Sequence, residues 1–74
     1  MEVLLFGLIA EKAGTTKMWL DVPTVDALRR SLAEQIPGFA GLSYAIAVDR
    51  RIVTGDRALS GKEQVAVLPP FAGG

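Results

Sequence analysis

The chain contains no cysteine and no histidine. Those two absences together remove disulfides, thiolate nucleophiles, imidazole bases and the commonest zinc ligands. The usual side-chain machinery of catalysis is missing, so a reacting group is expected outside the side chains, and no metal site is expected. Net charge is lacking as well, because eight Lys and Arg balance eight Asp and Glu. With no net positive field to hold a phosphate backbone and no net negative field to imitate one, nucleic acid is not an expected partner. No apolar run approaches the roughly 20 residues that a membrane span needs. The opening "MEVLLFGLIA" lacks a basic leader and a cleavage site. The expectation is a cytoplasmic protein with no membrane partner.

What is present fits one small domain of 74 residues. A domain of this size buries only about 60% of the surface its unfolded chain exposes, leaving room for one thin core. Half the residues are hydrophobic and 22% are charged, a globular composition. Residues Glu2 to Leu8 read as a strand apolar on both faces, which belongs inside a sheet. "LIAEKAG" reads as a short helical turn closed by Gly14. "TTKMWLDVP" alternates with period 2, placing Met18 and Leu20 on one face and Lys17 and Trp19 on the other. Thr24 is placed to cap a helix whose Val25, Leu28, Leu32 and Ile36 share one stripe, while Arg29, Arg30 and Glu34 face water.

Beyond Pro37 and Gly38 the chain forms a loop or short turn that closes the core with Phe39 and Leu42. "YAIAVD" makes a third strand, Arg50 and Arg51 sit at a tight turn, and "IVTG" is a short return strand. Leu59 plugs the core. Gln64 to Leu68 is again apolar on both faces and therefore central. Two central strands at opposite ends of the chain pair most simply in parallel through a right-handed crossover. The fold class is α+β, a mixed sheet with one main helix across one face.

One helix covers only one face. If that face carries Val3, Leu5, Met18, Leu20, Val65 and Val67, the other carries Leu4, Phe6 and Leu68, joined by Ile52. Contiguous apolar surface of this kind marks a partner site, whereas isolated surface hydrophobes are ordinary. Trp19 points the same way, either as an interface anchor or as a half-buried sheet residue.

The domain spans residues 1–68, and the tail 69–74 reads "PPFAGG". Pro69 and Pro70 cannot donate to a ladder and fix a stiff, extended exit. From Phe71 through Ala72 and Gly73 to Gly74 the chain reaches about 13 Å at roughly 3.3 Å per residue. A terminal Gly-Gly is the narrowest possible peptide end and threads a channel that any side chain would block. Its carboxylate is a poor electrophile, so its use requires activation, as a mixed anhydride with AMP formed from ATP by a partner. The activated Gly74 then accepts a nucleophile.

With this tail and strand order, the chain resembles the family of molybdopterin-synthase small subunits, sulfur carriers with the ubiquitin-like β-grasp fold. The resemblance runs through "LLFGLIAEKAG", "PTVDALRRSLAEQ", "AIAVDRRIV" and "LSGKEQVAVLPPFAGG". It implies that Gly74 is adenylated by a ubiquitin-activating-like adenylyltransferase and then thiocarboxylated with sulfur from a donor protein. It also implies that the tail inserts into the large subunit of a heterotetrameric synthase and gives its sulfur to a pyranopterin precursor of molybdopterin. The catalytic side chains would lie on that large subunit, no cofactor would be bound here, and ATP would be used by the activating partner. By position, Phe6, Ile52 and Leu68 match family residues at the large-subunit interface. Ala10, Asp49 and "GKEQ" depart from the family pattern, and Glu63 is the clearest acid left before the last strand.

The remaining charges have a structural reading. Arg50 and Arg51 form a solvated turn rather than a nucleotide clamp, since no glycine-rich cradle accompanies them. Arg29 and Arg30 are read likewise, and Asp49 and Asp56 as turn residues. A thiamine-pathway sulfur carrier shares the fold and the Gly-Gly end, although the double proline argues against it. A ubiquitin-like protein modifier or a plain binding module remains a third class.

Overall fold

The computed structural model describes residues 1–69. Within them strands β1 (Glu2–Leu5), β2 (Lys17–Trp19), β3 (Ala45–Val48), β4 (Arg51–Val53) and β5 (Val65–Leu68) form one mixed sheet. Their order is β2-β1-β5-β3-β4. The two strands that read as apolar on both faces, β1 and β5, are the central parallel pair, in register Val3↔Val65 and Leu5↔Val67. The other pairings are antiparallel.

The first strand is shorter than its composition suggests. It ends at Leu5, three residues before the expected boundary at Leu8, and helix α1 (Gly7–Ala13) takes over at Gly7. The run "LLFGLI" suits either period, and Gly7 decides the matter by turning the chain at φ +58. Gly14 closes α1 in the left-handed region, as its position predicts. The last strand starts at Val65 rather than Gln64, whose backbone N–H instead donates to Asp49 Oδ1 at 3.0 Å.

Helix α2 (Val25–Gln35) crosses one face of the sheet. Its first backbone N–H groups have no partner within the helix, and each finds one outside. Val25 donates to the Arg57 carbonyl at 2.9 Å, Asp26 to Asp56 Oδ1 at 2.9 Å, and Ala27 to Thr24 Oγ1 at 3.1 Å. Asp56 is therefore more than a turn residue, since it caps the helix at Asp26, 30 positions earlier. Arg29 is not simply solvated either: it is half-buried and donates to Asp26 Oδ1 at 2.8 Å.

The predicted helix stripe is buried to the last member: Val25, Leu28, Leu32 and Ile36 meet Val3, Leu5, Ile46, Val48, Val65 and Val67. Phe39, on the short 3-10 turn Phe39–Gly41, closes one end and stacks on Tyr44 with ring centroids 4.4 Å apart. Leu59 is buried as well.

Only Asp49 and Arg50 link β3 to β4, and both have positive φ, 49° and 70°. This is a two-residue type I′ turn, the form whose twist suits a hairpin. Arg51 belongs to the return strand, paired with Val48, and not to the turn. Asp49 tolerates the left-handed region and anchors itself through Gln64. Arg50 has no such local excuse, and the conformation costs an L-residue on the order of 1 kcal/mol.

Candidate functional site

The sheet has one face under α2 and one without a covering helix, and strand register determines what the second face shows. Paired residues in a ladder point to the same side. Lys17↔Leu4, Leu4↔Ala66, Ala66↔Ala47 and Ala47↔Ile52 therefore form one transverse row across all five strands. A second row follows from Leu68↔Ala45. Phe6 extends it, because its backbone remains extended (φ −128, ψ 155) and its N–H donates to the Val67 carbonyl at 3.2 Å. Phe6, Leu68, Leu4 and Ile52 thus border a floor of Ala45, Ala47 and Ala66. The small alanines keep that floor flat, and Phe6 and Ile52 stand at its two sides, 44% and 49% exposed. Alternation along the chain points to the four large residues but not to the alanines, whose signal is the cross-strand register.

A third row is polar. Glu2 pairs with Trp19, receives Lys17 Nζ at 3.1 Å, and accepts a hydrogen bond from Gln64 Nε2 at 3.3 Å. The Lys17 hydrogen bond, followed by that of Gln64, holds the Glu2 carboxyl below its ordinary range. This strip separates Trp19 from the apolar floor. At 70% exposure Trp19 is not half-buried, and it lies at the β2 edge, away from Phe6 and Leu68.

The apolar rows lie at the end of the sheet where the chain leaves β5. Pro69 follows Leu68 directly, and its ring rests over the β1–α1 corner. A Cβ built on Gly7 would lie 3.2 Å from Pro69 Cγ. The corner glycine thus both turns the chain and makes room for the first tail residue. The rest of the predicted tail, Pro70, Phe71, Ala72, Gly73 and Gly74, lies outside the described residues. A cleft of about 410 Å³ between α2 and the β3–β4 margin shares Ala45 and Ile52 with the open face.

Glu63 has a local task. Its carboxylate accepts the Ser60 N–H at 3.0 and 2.8 Å and the Gly61 N–H at 3.0 Å. Backbone donors, Ser60 first, pull its pKa down to about 2. Among the described residues there is no cluster of three or more ligands suited to a metal ion, and no helix is long and apolar enough to cross a membrane.

Comparison with known proteins adds four likenesses. A family model described as the ThiS family matches residues 3–74. The molybdopterin synthase sulfur carrier subunit of Escherichia coli K12 is 37% identical over 81 aligned positions, covering 100% of this chain and 99% of that protein. Among solved structures, a putative molybdopterin converting factor subunit 1 from Pyrococcus furiosus superposes with a TM-score of 0.86 at 23% identity, over 95% of each chain. A chain from the complex of subunits 1 and 2 of molybdopterin-converting factor from Helicobacter pylori superposes with a TM-score of 0.73 at 25% identity, over 99% of this chain and 96% of that one. The likeness assigns this chain, with its mixed five-stranded sheet, to the ubiquitin-like β-grasp fold.

Proposed function

The chain belongs to the ThiS family, and from that premise we propose that it is the sulfur carrier subunit of a molybdopterin synthase. The observation that carries this reading is the 37% identity, over 100% of this chain and 99% of its relative, to a sulfur carrier subunit of that synthase. The chemistry follows from the end of the chain. The Gly74 carboxylate attacks ATP and displaces pyrophosphate, giving an acyl adenylate on an activating partner. A donor protein's persulfide then displaces AMP through its outer sulfur to form an acyl disulfide, and a thiol reductant cleaves the sulfur–sulfur bond, releasing the donor as a thiol and leaving a thiocarboxylate. No side chain of this protein needs to act as acid or base, consistent with a sequence that has neither histidine nor cysteine.

The open face supplies the second half of the proposal. Phe6, Ile52 and Leu68 surround a flat alanine floor next to the tail exit, a shape suited to the apolar centre of a protein interface. The large subunit of the synthase is the partner proposed for it, and the Helicobacter pylori complex shows a structural relative paired with a second subunit. Seated there, the carrier has its tail starting at the edge of the contact, where about 13 Å of extended chain reaches a neighbouring cavity.

The test is mass spectrometry after incubation with ATP, an activating enzyme and a sulfur source. Replacement of one oxygen by sulfur on Gly74, followed by loss of that sulfur to a pyranopterin precursor when the large subunit is added, is the expected result. An unmodified terminus, or a conjugate of the chain with lysine on another protein, would overturn the proposal in favour of a binding module or a modifier.

A further inference from the structure

We propose that the outer edge of β4 is a docking site for an extended segment of a partner protein, which adds a strand to the sheet and carries an acidic and an apolar side chain two positions apart. The order β2-β1-β5-β3-β4 leaves β4 paired on one side only. Its register fixes which backbone groups are spare. In a hairpin with a two-residue turn, the residues flanking the turn exchange both hydrogen bonds, so Val48–Arg51 and Ile46–Val53 are the bonded pairs. Between them, the N–H and C=O of Ile52 point away from β3. Among the described residues they enter none of the turn, loop or cap hydrogen bonds.

The same register determines which side chains an added strand meets. Arg51 pairs with Val48 and Val53 with Ile46, both buried under α2, so Arg51 and Val53 stand on the helix side of the edge. That side is not closed: the cleft of about 410 Å³ between α2 and β4 has Tyr44, Ile46, Val53 and Thr54 in its lining, together with Arg29. Arg29 is held as a wall, donating through Nη1 to Asp26 Oδ1 at 2.8 Å and through Nη2 to the Gly55 carbonyl at 3.4 Å. Arg51 is exposed and takes part in neither ion pair found among the described residues, Lys17–Glu2 and Arg29–Asp26. Alternate residues of a strand laid along β4 face the helix side, so one side chain enters the cleft beside Val53 and the next but one meets Arg51. An apolar group suits the first position and a carboxylate the second. Charge also disfavours a second copy as the occupant, because antiparallel self-pairing centred on Ile52 crowds two copies of Arg50 and Arg51 into one short ladder.

A competing explanation is that brevity and arginines guard this edge, in which case it accepts no strand. The probe that separates the two is an acetylated, amidated nine-residue peptide with an aspartate and a leucine two positions apart among threonines. It is titrated into the nitrogen-15-labelled chain and followed by NMR. A control peptide of the same composition has the two residues adjacent, so that they face opposite sides. The expected result is saturable amide shifts centred on Ile52 and Thr54, with the control about 5-fold weaker. Arg51→Ala is expected to bind about 3-fold more weakly at about 0.01 M salt and to lose most of the salt dependence up to about 0.15 M. Ile52→Pro removes the outward N–H at an edge position where proline is tolerated, and is expected to bind about 5-fold more weakly or worse, whereas Ile52→Ala keeps the donor and binds as the parent does. If Ile52→Pro does not fold, the Arg51→Ala and control-peptide comparisons decide. Absence of shifts at β4 or equal binding of the two peptides would overturn the inference and leave the sulfur-carrier reading intact. So would β4 shifts on dilution of the protein alone, the mark of self-pairing.

Discussion

Removing the Asp56 carboxylate tests how this fold holds its single long helix. The side chain accepts the Asp26 N–H and its neighbour's, Arg57, both at 2.9 Å. Asp56→Ala leaves both donors to water. Loss of a helix N-cap acceptor costs about 1 kcal/mol, and loss of a carboxylate from the positive end of a helix about 0.5 kcal/mol more. Thr24 still caps Ala27 and the Arg57 carbonyl still receives Val25, so the helix survives without one of its three external acceptors. The expected cost is about 1.5 kcal/mol, which lowers the melting temperature of a domain this small by roughly 6–12 °C. Circular dichroism melts, with urea titrations to confirm an unchanged m-value, measure it. Asp56→Asn keeps an acceptor and loses only the charge, so it should fall about a third as far. Melting of Asp56→Ala within about 1 °C of the parent would refute the reasoning, as would equal losses for Ala and Asn.

Three further predictions concern the pH response, the interface and the tail. The Glu63 pKa is about 2 in the folded chain against an ordinary 4.5, so its contribution to stability is complete above pH 4.5 and is lost as pH falls toward 2. Glu63→Gln should flatten that part of the acid limb in denaturation midpoints measured at successive pH values, and an unaltered limb would contradict the Ser60–Gly61 cradle. Phe6→Asp should leave the fold intact, because the ring is 44% exposed, and weaken large-subunit binding by at least about 2 kcal/mol in calorimetry. Equal affinity would remove Phe6 from the interface. Deleting Gly74, or adding one residue after it, should reduce sulfur transfer about 100-fold or more, since small misplacements of reacting atoms cost that much. Its melting temperature should not change, and comparable activity from the extended protein would count against a terminal reacting group.

Much of the fold was legible because its signals are local. Two strands without polar alternation announced the centre of the sheet, and β1 and β5 occupy it. The stripe Val25, Leu28, Leu32, Ile36 announced the helix, and Thr24 its start. Boundaries were less legible where a stretch suited two structures at once. "LLFGLI" has no polar residue to fix a period, and the first strand gave way to α1 at Gly7. Asp56 and Glu63 show the other limit: each looks like an ordinary surface acid, and their backbone partners emerge only once loops distant or adjacent in sequence are folded against them.

The candidate site divides along the same line. Sequence alone determined that the chain offers neither thiol nor imidazole, that a diglycine follows two prolines and "FA", and that four large apolar residues fall on the face a single helix leaves uncovered. Tertiary structure decided that Phe6, Leu4, Leu68 and Ile52 surround one alanine floor, that Trp19 is cut off from it by Glu2 and Gln64, and that Pro69 starts from a seat over Gly7. The physical reason is the range of the forces involved. Alternation and capping act over a few residues and leave a mark in the sequence, whereas register between strands 40 or more residues apart is set by the packing of the whole sheet.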